Sequence, residues 1–154
     1  MVTSGTEQGN RLMEVVTAEG REMEADFSRI EAETAPDERR RLVDQLLQRL
    51  ADHAAARREI LYPRVGQDVP DGDSLVDLAL VGLAQVERTS KEFAGLSGAE
   101  PSFHPLVTKL ATEVWEHLDE EEGEMLPALV DAIGVDAAND LGDALARAGA
   151  AEVR

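Results

Sequence analysis

Two residue pairs in this chain have the types and spacing to do chemistry. His117 and Glu121 stand four apart, and so do His53 and Arg57. On a helix each pair shares one face and reaches a common point. His117 and Glu121 also continue an apolar stripe, Leu106, Leu110, Val114, His117, Glu121 and Met125, which places them toward a core. The neighbouring acids Asp119, Glu120 and Glu122 read as a solvated face. A carboxylate and an imidazole inside a core are costly unless something compensates them. Each pair is followed at the same offset by a proline, Pro63 and Pro127. If the two levels coincide, Arg57 and Glu121 meet in the centre with two imidazoles beside them.

Helices must carry these pairs. Residues 1–9 read as disordered, and a first helix follows with Met13, Val16, Gly20, Met23, Phe27 and Ile30 on one stripe. After the break at Pro36, a second stripe runs Val43, Leu46, Leu50, His53, Arg57 and Ile60, and Pro63 is expected to end it. Residues 66–73 form a turn-rich loop, and Ser74 is placed to cap a third helix bearing Val76, Ala79, Leu83, Val86, Ser90 and Phe93. Gly95, Gly98 and Pro101 separate it from the fourth, which Gly123 and Pro127 should bend or split. A short helix over about 136–148 should pack across one end. The pattern predicts an all-α fold: an antiparallel four-helix bundle over residues 10–133, then a C-terminal helix and tail over 134–154.

Composition narrows the classes. A chain of 154 residues is expected to form one domain with a real core. Its net charge of -17 argues against nucleic acid and against anionic membrane surfaces. The absence of cysteine excludes disulfides, a thiolate nucleophile and cysteine-ligated zinc or iron–sulfur clusters. No apolar run approaches a membrane span, and the first ten residues lack the basic start and apolar stretch of a signal peptide, so a cytoplasmic location is expected. Aromatic content of 3% favours helices over strands. His104 reads as a surface or capping residue, Tyr62 and Trp115 as packing residues, and nothing marks Ser90 as activated.

Four segments together carry a family likeness: Ala18–Met23, His53–Pro63, Leu75–Ala79 and His117–Pro127. With them the chain resembles a hemerythrin-like (HHE cation-binding) domain over about residues 10–130. The resemblance implies a histidine on helix 1, a His-x-x-x-Glu pair on helix 2, a histidine on helix 3 and a second such pair on helix 4, holding two bridged irons. Here the helix-1 position is Gly20, the helix-3 position is Leu83, and Arg57 replaces a bridging carboxylate. Only His117 and Glu121 form a complete pair, so neither a di-iron centre nor any other cofactor is expected. A guanidinium stays protonated, takes the metal's place and can pair with Glu121. The alternative is that Arg57 bends outward to solvent. Gly20 either opens space near the former iron site or marks close packing, and Asp26 either faces that space or lies on a solvated flank.

Three functions follow. In the first, a metal-free core pocket of His53, Arg57, His117 and Glu121, with Gly20, Leu83 and Asp26 around it, binds a small anionic molecule and, if it is an enzyme, transforms it. In the second, His53, His117 and Glu121 hold a single non-haem iron or zinc ion. In the third, the domain is a metal-free structural or protein-interaction module.

Overall fold

The computed structural model describes residues 10–153, with side chains through Gly149. Residues 1–9, and the disorder expected there, lie outside the described residues. Helix α1 (Arg11–Ala32) begins at Asn10, whose side chain accepts from the Met13 N–H at 2.8 Å. It buries Leu12, Val15, Val16, Met23, Phe27 and Ile30, while Met13 is only partly covered. Helix α2 (Pro36–Ala56) opens on Pro36, where a missing N–H costs nothing.

Pro63 does not end this helix. The chain widens into one π turn over Arg57–Leu61 and continues as α3 (Tyr62–Asp68). In that turn the Tyr62 N–H reaches back five residues to the Arg57 carbonyl. A proline cannot donate to the carbonyl four back and its ring crowds that carbonyl, so a turn one residue wider lets the helix run on. Asp71 takes a left-handed φ of 61°, and α4 (Gly72–Glu92) starts ahead of Ser74. Ser74 is therefore inside the helix, donating from Oγ to Asp71 Oδ1 at 3.2 Å, and is not its cap.

The fourth bundle helix repeats the device. Helix α5 (Phe103–Glu120) passes through a π turn at Glu121–Met125 into α6 (Leu126–Ile133). The Leu126 N–H bonds the Glu121 carbonyl, and Pro127 follows. Gly123 and Pro127 thus sit at a widened, continuous helix. Gly134, at φ 87°, separates it from α7 (Val135–Val153), which is longer than the short helix expected.

Two apolar clusters define the topology. One gathers the start of α1, the end of α2, α3, the start of α4, α6 and α7, including Leu12, Val16, Leu61, Leu83, Leu126 and Leu145. The other gathers the end of α1, the start of α2, the end of α4 and the start of α5, including Phe27, Leu46, Phe93, Phe103 and Leu110. Successive long helices therefore run up, down, up and down. Helix α7 closes the first end. There Asn139 Oδ1 accepts from the Arg11 N–H at 2.7 Å, and a Cβ on Gly142 would come within 2.5 Å of the Arg11 carbonyl carbon, so only glycine permits this approach. Among the described residues no helix is long and apolar enough to cross a membrane.

Candidate functional site

Between the two apolar clusters lies a polar layer. The π turns begin at Arg57 and Glu121, the residues four beyond His53 and His117. An inserted residue rotates the following chain, so Leu61 and Tyr62 face the core while Ile60 is only partly covered. That rotation aims Tyr62 at Glu121.

Arg57 points inward and is 0% exposed; Glu121 is 1% exposed. Arg57 Nε donates to both oxygens of Glu121, at 3.0 and 3.1 Å, and Nη2 donates to Glu19 Oε1 at 2.8 Å. The Tyr62 hydroxyl donates to Glu121 Oε2 at 2.7 Å. His117 Nε2 stands 3.2 Å from the same oxygen, and the His53 and His117 rings meet edge-on at 5.7 Å. His53 Nδ1 is 3.7 Å from Glu19 Oε1, beyond hydrogen-bond reach.

These contacts set the charges. Burial pushes the Glu121 carboxyl up, but the Arg57 charge, the His117 contact and the His53 charge together hold it well below the usual carboxylate range. Burial acts the same way on Glu19, and the neighbouring His53 and Arg57 outweigh it, so its carboxyl is lowered too. Burial, then the Arg57 charge, pushes His53 below its ordinary value, against the pull of Glu19 and Glu121. Burial and the Glu121 charge push the Tyr62 phenol up, which keeps its donor proton in place. One guanidinium thus lies between two carboxylates. In this layer four buried nitrogens have no hydrogen-bond partner: both of His53, Nδ1 of His117 and Nη1 of Arg57.

A cavity of about 370 Å³ opens beside the two imidazoles. Its walls are chiefly apolar, from Met23, Leu50, Ala54, Leu83, Val86 and Val114. His53 and His117 are its polar surface within the bundle, and Glu87, Ser90 and the exposed Lys91 are the polar residues on its α4 side. On α4, Gly82 leaves room for the His117 ring: a Cβ there would lie 3.0 Å from Nδ1.

The structure brings His53, Arg57, His117 and Glu121 together, and Leu83 lines the cavity. Arg57 lies behind the imidazoles and is not part of the cavity wall. Gly20 does not line the cavity, and a methyl group there would make ordinary contacts with Leu118 and Glu122, at 3.7 and 3.8 Å. Asp26 is on neither the pocket nor a solvated flank. It is buried at the α1–α2 boundary, paired with Arg29 and, at 2.6 Å, with Arg49. Glu19 and Tyr62 are site residues that the stripes did not select. Glu19 adjoins Gly20, at the level already singled out on helix 1, and Tyr62 follows Arg57 by five, the offset a π turn brings into line. His104 is exposed, Trp115 packs on Phe27 at 5.6 Å, and Ser90 Oγ is spent on the Val86 carbonyl.

The residues present do not fit two irons. The Arg57 guanidinium fills the space between Glu121 and Glu19, and Gly20 and Leu83 bring no ligand. One ion is a separate case: ligand atoms of His53, His117 and Glu121 all lie within 4.8 Å of one another, a group that could hold a metal. The fold and this layer define a helical bundle with a buried His/Glu/Arg cluster. The chain belongs to the hemerythrin HHE cation-binding domain family, whose model matches residues 11–129. It is 26% identical over 131 residues to a DNA nickase of Nostoc sp. (strain PCC 7120 / SAG 25.82 / UTEX 2576), a match covering 83% of this chain and 36% of that protein. The chain thus spans about a third of that relative's length. No solved structure matches it.

Proposed function

We propose that this is a hemerythrin-like domain in which Arg57 stands in for the metal and the cavity beside His53 and His117 binds a small molecule. One observation carries it: a cavity of about 370 Å³ with His53 and His117 in its wall, next to an ion cluster that already contains its own cation. Pockets of this volume and apolar character are the usual form of small-molecule sites. The anionic ligand expected from the sequence drew on Arg57, whose Nε and Nη2 are occupied by Glu121 and Glu19. The cation left to receive an anionic end is Lys91. At the imidazole end, His53 and His117 are the groups suited to moving a proton if the ligand is transformed.

The test is thermal melting with small apolar molecules such as toluene, in the wild type and in Val86→Phe. The wild type melts higher with ligand. Val86→Phe fills the cavity, keeps or gains stability without ligand, and loses the ligand response. A destabilised Val86→Phe with an unchanged ligand response would refute the cavity assignment.

A second function, one bound iron or zinc ion, is favoured by the closeness of His53, His117 and Glu121. Against it stands Arg57, a permanent positive charge 3.0 Å from the one carboxylate in that set. We do not carry DNA nicking over to this domain, since the match covers 36% of the nickase and a net charge of -17 argues against a DNA partner.

A further inference from the structure

We infer that the ligand is a small amphiphilic anion, an alkyl carboxylate with its chain inside the cavity and its carboxylate outward at Lys91. This rests on the binding function proposed above and names the class of molecule and the way it lies.

The two ends of the cavity differ. At the inner end a charged head finds nothing to bind. Both nitrogens of His53 and Nδ1 of His117 are enclosed by protein, and the remaining ring nitrogen, His117 Nε2, lies 3.2 Å from Glu121. A carboxylate carried inward would give up its water beside Glu19 and Glu121, whose shared cation Arg57 is already engaged. The walls between are apolar, from Met23, Leu50, Ala54 and Val114. An engineered apolar cavity of about 150 Å³ holds benzene, so about 370 Å³ has room for an alkyl chain of roughly eight carbons.

The open side lies between α2 and α4, where Ala51 is exposed and Glu87, Ser90 and Lys91 form the α4 rim. Charge there runs against the rest of the chain, in which 32 acidic residues face 15 basic ones. Glu87 is held by Arg58 through two hydrogen bonds, at 2.8 and 3.1 Å. Ser90 Oγ donates to the Val86 carbonyl. Lys91 is exposed, forms no ion pair among the described residues and acts on Glu87 only as a more distant charge. The charge left over at the rim is therefore positive. A carboxylate here keeps its hydration and meets Lys91 while its chain fills the cavity; an ammonium head would meet a like charge.

The experiment titrates octanoate, octylammonium and 1-octanol by calorimetry into the wild type, Lys91→Glu and Val86→Phe, at physiological salt to screen the chain's overall charge. In the wild type octanoate should bind more tightly than octylammonium. Lys91→Glu, a surface change that melting should show to be folded, exchanges an exposed attraction for a repulsion. It should weaken octanoate about threefold to tenfold, strengthen octylammonium and leave 1-octanol unchanged. Val86→Phe should lose all three. Octylammonium binding as tightly as octanoate in the wild type, or octanoate indifferent to Lys91→Glu, would overturn the head assignment; the cavity would stand as a binding site if Val86→Phe still abolished 1-octanol binding. If none of the three binds at millimolar concentration, or if Val86→Phe binds all three like the wild type, the binding function fails and this inference fails with it.

Discussion

Arg57→Ala is the most informative single change, because the arginine is wholly buried and touches two carboxylates. Truncation leaves Glu121, 1% exposed, with only Tyr62 and His117 as polar partners, and removes one partner of Glu19. Breaking a buried pair in this way costs about 3–5 kcal/mol, out of a total stability of about 5–15 kcal/mol for a typical domain. For a domain of this size that is a fall in Tm of about 6–20 °C. Urea unfolding near neutral pH reads the loss directly. A second signature separates lost charge compensation from lost volume. Without Arg57 the buried Glu121 carboxyl rises above its unfolded value. A raised folded pKa gives stability that is present at low pH and lost as pH rises through it, so the deficit of Arg57→Ala should shrink in mild acid. An Arg57→Ala cost below about 0.5 kcal/mol, the scale of an ordinary surface change, would refute the inward ion pair. So would a deficit that does not change with pH.

Further outcomes follow from the same geometry. His53 is held below its ordinary 6.5, so the unfolded chain takes up its proton first; stability is full above about pH 6.5 and declines as pH falls. The lowered carboxyls of Glu19 and Glu121 add a steeper decline below about 4.5, and urea midpoints across that range check both steps. Gly20→Ala meets only ordinary contacts and should stabilise by about 0.5–1 kcal/mol, whereas Gly82→Ala presses on His117 and should cost about 1 kcal/mol net. The same unfolding assay distinguishes them.

Periodicity predicted the bundle, and the four-residue spacing of His53 with Arg57 and His117 with Glu121 placed all four in the core. The misplaced helix ends and Tyr62 have one physical cause. The prolines at 63 and 127 looked like breaks, but a π turn ahead of each absorbs the missing N–H and shifts the stripe by a residue. Beyond Arg57 the buried face passes from Ile60 to Leu61 and Tyr62, so a tyrosine taken for packing becomes a donor to Glu121. Glu19 was hidden differently. A glutamate beside Gly20 looks like any solvated acid until a guanidinium from another helix reaches it. Asp26 shows the same limit, since its partner Arg49 comes from α2.

In the proposed function Arg57 occupies the place of the metal. Elemental analysis of protein expressed aerobically with added iron and zinc, together with melting in the presence and absence of a chelator, tests it most directly. The expected result is metal well below one ion per chain and a Tm that the chelator does not change. Two irons per chain with an oxo-bridge absorption band would contradict it, and one tightly held ion whose removal lowers the Tm would transfer the site to the mononuclear function.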